Sequence, residues 1–565
     1  MESTRRRLLR ESNSDSGAIV DEMKTYSHVP VANDGIHEYG NVRIKPISSG
    51  PFLSSDEIEL PLVSSNFDVI EFSNTYIHLK TRIALRCTNP PELSGPASDP
   101  LNKMLNENQF VMICLKASPH IIRDYRFKHE GTIIPTTVQS RAVTESFLYS
   151  TFKAKSEIAN KKFVFSPYDE VSVMENSLCG IYVPLKDLKS EAVYKDVDII
   201  IPLREILAME AFNEYPRNIF GELRLVFHVT AEAFVYTEVN PQVSIRKGIV
   251  SGKIDRTIPH LSDLLAIDGD TFNYQHSFEQ IGIPSAIQFV SGYDSENNKF
   301  LYTTQAEFQP HIDEIKVQEA WVDAKGYRMN FNAARELANH FSQHPFAVCA
   351  QKVIVQQFPS GPTPSGLSTS MNVRLNHVTD IEILHPTDSR QRTVFRNILH
   401  DSYQVQIGNK RFPDQLTSTV SPQFHEQQIQ SSDFDSIFEA NEEYEHSLTD
   451  NMIEENEDGT VTVLKPTTDN TSFVPIFSCE RAGSGGELWF DGLDAINEKV
   501  ELNSRPIYQG KADVYYKDAN TPNPMLCMCS EAYWIFRLID GRPNVQFVSG
   551  HTYEEGFNNP SIDAC

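Results

Sequence analysis

Two thiols spaced two apart, Cys527-x-Cys529, are the first residues whose type and spacing could do chemistry. On a strand they share one face, as metal ligands would. A zinc site needs two further ligands at matching spacing, and no second pair stands nearby. HEQQI (425–429) begins like a zincin helix but lacks the second histidine. AGSGG (482–486) is glycine-rich, yet no Lys-Ser/Thr follows it and no third spaced glycine opens a helix, so it fails as a phosphate loop. AIDGDTFNY (266–274) sets acids near a glycine without the register of a calcium loop. Asn470-Thr471-Ser472 fits a glycosylation sequon, but no secretory signal accompanies it. No acid/base pair and no nucleophile–base set stands out, and no cofactor is implied. That points away from an enzyme and toward a structural protein.

The composition bounds the rest. Of 565 residues 40% are hydrophobic, enough for a large core. No apolar run approaches the length of a membrane-spanning helix. The first residues, MESTRRRLLRESNSDSG, contain no apolar stretch of the kind a signal peptide needs. The eight cysteines sit mostly within apolar runs, which suits reduced, packed thiols and a reducing compartment. With 50 Lys+Arg against 76 Asp+Glu the formal charge is −26, so most of the surface repels nucleic acid. Arg5, Arg6, Arg7 and Arg10 are the local exception.

Period-two alternation dominates after the first 43 residues. FDVIEFSNTYIHLKTRIALRC (67–87), ELRLVFHVTAEAFVY (222–236), NVRLNHVTDIEIL (372–384) and AYWIFRLI (532–539) read as half-buried strands. Pro-, Gly- and Asn-rich stretches such as TNPPELSGPASDPLN (88–102) separate them. Helical patterns are few: residues 142–160, 332–343 and 433–448. Many short strands without regular βα alternation argue for sandwiches or barrels. Residues 412–464 have no Lys or Arg, and 433–458 hold eleven acids; unpaired like charges are not buried, so this reads as a solvated helix face and loop outside the sheets.

One phrase occurs twice. HIIRDYRFKHEGTIIP (120–135) and NILHDSYQVQIGNKRFP (397–413) each have an aliphatic pair, an aspartate (Asp124; Asp401), a tyrosine, a glycine seven residues on (Gly131; Gly408) and an apolar-Pro close, and the aspartates are 277 residues apart. FLYSTFKA (147–154) and FDSIFEA (434–440) follow the respective copies. An internal duplication places both phrases on equivalent strands. Each aspartate would then start its strand and accept local backbone N–H bonds, and each glycine would form the turn. Pro135 and Pro413 would lie beyond it, at an edge. Phe127 and Val405 follow their aspartates by three and four residues, so the register slips by one. The expected organisation is all-β: a flexible basic arm (1–43) and two tandem β-sandwich units (44–250 and 251–565), the second with an acidic insertion at 433–458, with short helices in loops.

The runs YIHLKTRIALRC and NQFVMICLKASPHIIRDYRFKHEGTIIP, then VDIIIPLREILAMEAFNEYPRNIFGELRLVF (197–227), IDRTIPHLSDLL (254–265), QKVIVQQFPSG and SFVPIFSCERAGS, resemble successive pieces of double jelly-roll major capsid proteins of Polinton/Maverick elements and their virophage-like relatives. The first turn departs from the family's Asn-Gly with Glu130-Gly131, and Pro359 follows Phe358 where a polar pair is common. The resemblance implies that each unit is an eight-stranded jelly roll and that the chain is the major capsid protein of a double-stranded DNA virus or virus-like mobile element, forming pseudo-hexameric homotrimers that tile an icosahedral shell, within the virion. Its implied partners are further copies of itself, a minor or penton capsid protein, and packaged DNA touched by the arm carrying Arg5, Arg6, Arg7 and Arg10. The alternative is a tandem-sandwich carbohydrate-binding protein or glycan-active enzyme, which would call for an export signal or an aromatic-lined carboxylate pair.

Overall fold

The computed structural model describes residues 35–91, 110–134, 180–210, 212–239, 279–294, 299–361, 367–373, 378–386, 388–393, 400–417, 450–455, 461–467, 476–479, 498–506 and 522–549. Eight strands frame the first unit, with Phe52–Leu53 and Val193–Pro202 added at the flanks of its first sheet: β1 (Ile36–Ile44), β2 (Ile58–Pro61), β3 (Val69–Cys87), β4 (Ile122–His129), β5 (Thr132–Ile133), β6 (Glu214–Tyr215), β7 (Leu223–Val229) and β8 (Pro310–Met329). They pair antiparallel as β1-β8-β3-β6 and β2-β7-β4-β5. Eight more frame the second, with Arg542–Ser549 hairpinned onto the last: β9 (Phe346–Gln357), β10 (Leu367–Val373), β11 (Val378–Leu384), β12 (His400–Ile407), β13 (Lys410–Thr417), β14 (Ile476–Ser478), β15 (Glu498–Pro506) and β16 (Met525–Ile539). Their order is β9-β16-β11-β14 and β10-β15-β12-β13. Strand by strand this is the first unit's connectivity repeated, and it is that of a jelly roll. The chain is a double jelly roll.

The strands form where alternation is strong. In β3 the buried Phe72, Ile77, Leu79 and Ile83 interleave with His78, Lys80 and Arg82, so one face packs and the other meets water. Its long partner β8 runs beside it over nearly its full length. This pairing corrects the expected boundary at residue 250. Residues 310–329 close the first sandwich, and the division falls at helix α1 (Phe331–Gln343), which joins β8 to β9. Asn330 caps α1, its side chain accepting from Ala333 N at 2.9 Å.

Two further expectations change. Residues 36–43 are not part of an arm; they belong to β1, hydrogen-bonded to β8. The run 222–236 is not one strand: Thr230 Oγ accepts from Glu232 N at 3.2 Å, and Phe234 N reaches Ala231 O. This turn ends β7 at Val229 and sends Val235–Val239 into a separate sheet with Phe110–Cys114, Gly180–Pro184 and Glu279–Gln280.

Of the acidic stretch, residues 450–455 form a strand, not a helix or loop, paired with Val461–Thr467 as a ribbon apart from the sandwich sheets. The rest, 433–449 and 456–458, lies outside the described residues. So do the helical patterns at 142–160 and 433–448 and both stretches following the repeated phrase. Among the described residues no helix is long and apolar enough to cross a membrane.

The second unit packs its own core through Ile381, Ile383, Val405, Ile407, Val500, Leu502, Leu526 and Met528. The first unit's core does not stop at its own strands. Phe346, Val348, Trp534 and Phe536 join it from β9 and β16, so the two jelly rolls share one continuous apolar layer.

Candidate functional site

The repeated phrases occupy equivalent strands. β4 and β5 form the hairpin of the first copy, β12 and β13 that of the second, each at the same place in its sheet. Phe127 stands opposite Leu225 and Val405 opposite Leu502, all four buried. Both strands carry a one-residue bulge. It falls at Arg123, between Ile122 and Asp124 in β4, and at Asp401, between His400 and Ser402 in β12. The structural partner of Asp401 is therefore Arg123, and Asp124 matches Ser402.

The one-residue offset arises at the turns. Glu130 (φ 46°) and Gly131 (φ 80°) fill a two-residue loop with both angles positive, as a type I′ turn requires. The second loop begins with Gly408 itself (φ 55°) and continues with Asn409. Glycine thus stands second in one loop and first in the other. The incoming backbone bonds are alike: Glu130 N donates to Glu222 O at 3.1 Å and Gly408 N to Lys499 O at 3.0 Å. Pro413 lies in β13, at the sheet edge; Pro135 lies outside the described residues.

Asp124 does not serve its own backbone. It is the third residue of β4, and its carboxylate accepts from Arg123 Nε at 2.7 Å and from His228 Nδ1 at 2.6 Å on β7. Burial raises its pKa, but the hydrogen bonds from Arg123 and His228 outweigh this and leave it below the ordinary value. Around it the outer face of this sheet is laced with ion pairs: Lys128–Glu59 (2.6 Å), Arg224–Glu59 (2.8 Å), Arg224–Glu222 (2.7 Å) and Arg126–Glu57. On the other sheet's outer face Arg82–Asp196 and Arg86–Asp313 are bidentate. The pairs on the second of these faces are exposed and add little stability, whereas Lys128, Glu59 and Arg224 on the first are half-buried.

The junction between the units is where the sequence signal was weakest. Trp534 Nε1 donates to Ala208 O at 2.6 Å, while its ring packs edge-on against Phe127 and Phe212. Phe346 and Phe536 meet Phe220 and Phe212 in the same layer. A polar latch lies elsewhere on the boundary. Gln280 Nε2 donates to Arg390 O, and Gln280 Oε1 accepts from Arg392 N at 2.6 Å. Arg390 NH1 reaches Gly282 O at 2.6 Å, Thr393 Oγ1 reaches Ala233 O at 3.2 Å, and Arg392 pairs with Glu232 at 3.0 Å. AYWIFRLI reads in sequence as a half-buried strand, but Ala532–Phe536 are buried throughout because the first jelly roll covers the second face; nothing in the sequence marks Gln280.

Cys527 and Cys529 lie buried in β16 and are not joined in a disulfide. Among the described residues no group of three or more His, Cys, Asp or Glu is placed to hold a metal ion. HEQQI, AGSGG, AIDGDTFNY and the sequon lie outside the described residues, as do Arg5, Arg6, Arg7 and Arg10.

No protein-family model and no curated protein matches the chain. Its structural neighbours are virophage and other viral capsid proteins. The mavirus major capsid protein is 11% identical at a TM-score of 0.44, with 97% of this chain and 98% of that chain covered. The Sputnik virophage structure is 10% identical at 0.39, covering 98% and 94%. The Faustovirus major capsid protein is 8% identical at 0.34, covering 97% and 98%.

Proposed function

We propose that the chain is the major capsid protein of a double-stranded DNA virus or virus-like mobile element. The observation that carries this reading is the repeated jelly-roll connectivity, two sandwiches fused through one continuous apolar layer. Such a fusion is a stiff block with most strand edges paired, suited to lateral packing. Three copies bring six sandwiches around an axis, giving a pseudo-hexagonal capsomer that tiles a closed shell. Binding between copies then needs large complementary faces and no catalysis. On this reading the chain resides in the virion, contacts a minor or penton capsid protein, and turns Arg5, Arg6, Arg7 and Arg10 toward packaged DNA.

Native mass measurement and electron microscopy of the purified full chain test it. The expected species is a homotrimer of six-cornered outline, or shells built from it. A stable monomer at micromolar concentration sinks the reading.

A further inference from the structure

Around β11 and the first half of β16, the sheet β9-β16-β11-β14 is buried on both faces. Ile381, Ile383, Leu526 and Met528 point into its own sandwich. Val353, Leu384, Ile476, Met525, Cys527 and Cys529 point the other way and meet Leu207 of the first jelly roll. Strand alternation puts Asp380 and Glu382 on this second face. In register, Glu382 stands opposite Cys527 and Asp380 opposite Cys529. Glu382 therefore shares this face with two buried thiols, and the half-buried Asp380 lies one step along it.

Glu382 is 0% exposed. Cys529 Sγ donates to its Oε1 at 3.2 Å, and its Oε2 has no hydrogen-bond partner among the described residues. The groups that bear on its charge are Asp380 and Cys529, both acidic. On its other flank β14 brings Ile476, Phe477 and Ser478, none titratable. The turn Leu207–Met209 brings none either. Lys352 sits on β9, beyond β16, and alternation turns it to the opposite face. His385, past the end of the strand, is neutral, burial pushing it down to about 3. Burial first, then Asp380, holds the Glu382 carboxyl well above the ordinary range. An unpaired carboxylate in such a layer would be costly, so the packed form is the neutral acid.

We propose that Glu382 is a protonation-controlled wedge: as the neutral acid it lets the second jelly roll seat on the Leu207–Met209 turn of the first, and as the carboxylate, its proton lost to solvent, it opens that seat. The sign follows from linkage. A carboxyl whose folded pKa is raised contributes stability that is fully present below the unfolded value and is lost as pH rises toward the folded one. In that window the open population grows about tenfold per pH unit.

Hydrogen–deuterium exchange of residues 204–210 and 525–530 in the full chain tests this from about pH 5 upward, corrected for base-catalysed intrinsic exchange. The wild type should show the extra slope of about tenfold per pH unit there and not in β7, while Glu382→Gln, which cannot ionise, should lose it. Maleimide labelling of Cys527 and Cys529, located by mass spectrometry, should diverge between the two proteins in the same direction. If Glu382→Gln does not fold, Glu382→Met takes its place. Equal slopes in wild type and variant, or wild-type protection that stays flat with pH, would overturn the proposal.

Discussion

Phe127 of the first jelly roll and Trp534 of the second meet edge to face across their junction, ring centroids 5.2 Å apart and planes at 89°. Phe127 is also the structural counterpart of Val405, which stays within its own sandwich. The duplicated strand thus carries a second duty in the first unit only, which requires a ring long enough to reach the neighbouring indole.

Trp534→Ala removes the largest fully buried side chain of the shared layer and leaves Ala208 O without its donor. A loss of about 3–5 kcal/mol is expected, read by urea unfolding. Trp534→Phe keeps most of the packing and should cost about 1–3 kcal/mol for the unpaired carbonyl.

Gly131 and Gly408 hold positive φ in the two hairpin turns. Nothing crowds a Cβ at Gly131, so Gly131→Ala isolates the backbone cost, about 1–2 kcal/mol. Gly131→Asn should cost less, because asparagine tolerates this region. Thermal melts of both variants check the order; equal midpoints would remove the turn assignment.

The latch should weaken in acid. Hydrogen bonds from Arg390 hold the Asp388 carboxylate below its ordinary value, and the same arginine reaches Gly282 in the first unit. With its folded pKa depressed, Asp388 contributes stability that is present above the unfolded value of about 4 and is lost as pH falls through the folded one. Asp388→Asn should therefore flatten that part of the acid limb in urea midpoints measured between about pH 6 and 3. An acid limb identical to wild type would show that the pair does not couple to folding.

Replacing Arg5, Arg6, Arg7 and Arg10 by alanine should leave the oligomer unchanged while weakening non-specific DNA binding. Against log salt, the slope of log affinity should fall by about 3 to 4 if all four meet phosphates. An unchanged slope would take the arm away from nucleic acid.

Local patterning was readable before any fold was known. Alternation marked β3, β7 and β16, glycine marked both hairpin turns, and the repeated phrase placed β4 and β12 in matching positions. The aspartates misled by one residue. Sequence aligned Asp124 with Asp401, but the loop takes glycine second in one hairpin and first in the other, so the strands pair one step out. Turn type is a property of two backbone angles, which a seven-residue spacing does not encode.

The sequence by itself determined that the chain is β-rich and internally repeated, because period-two burial and turn chemistry are local. Tertiary structure alone decided three things. It drew residues 310–329 back to β3, more than two hundred positions earlier, and so moved the boundary between the units. It joined Trp534 to Phe127 and Gln280 to the 390–392 backbone. It buried Glu382 with two thiols, one of its carboxyl oxygens without a hydrogen-bond partner among the described residues. Each depends on which faces meet, and a burial pattern says that a residue is covered without saying by what.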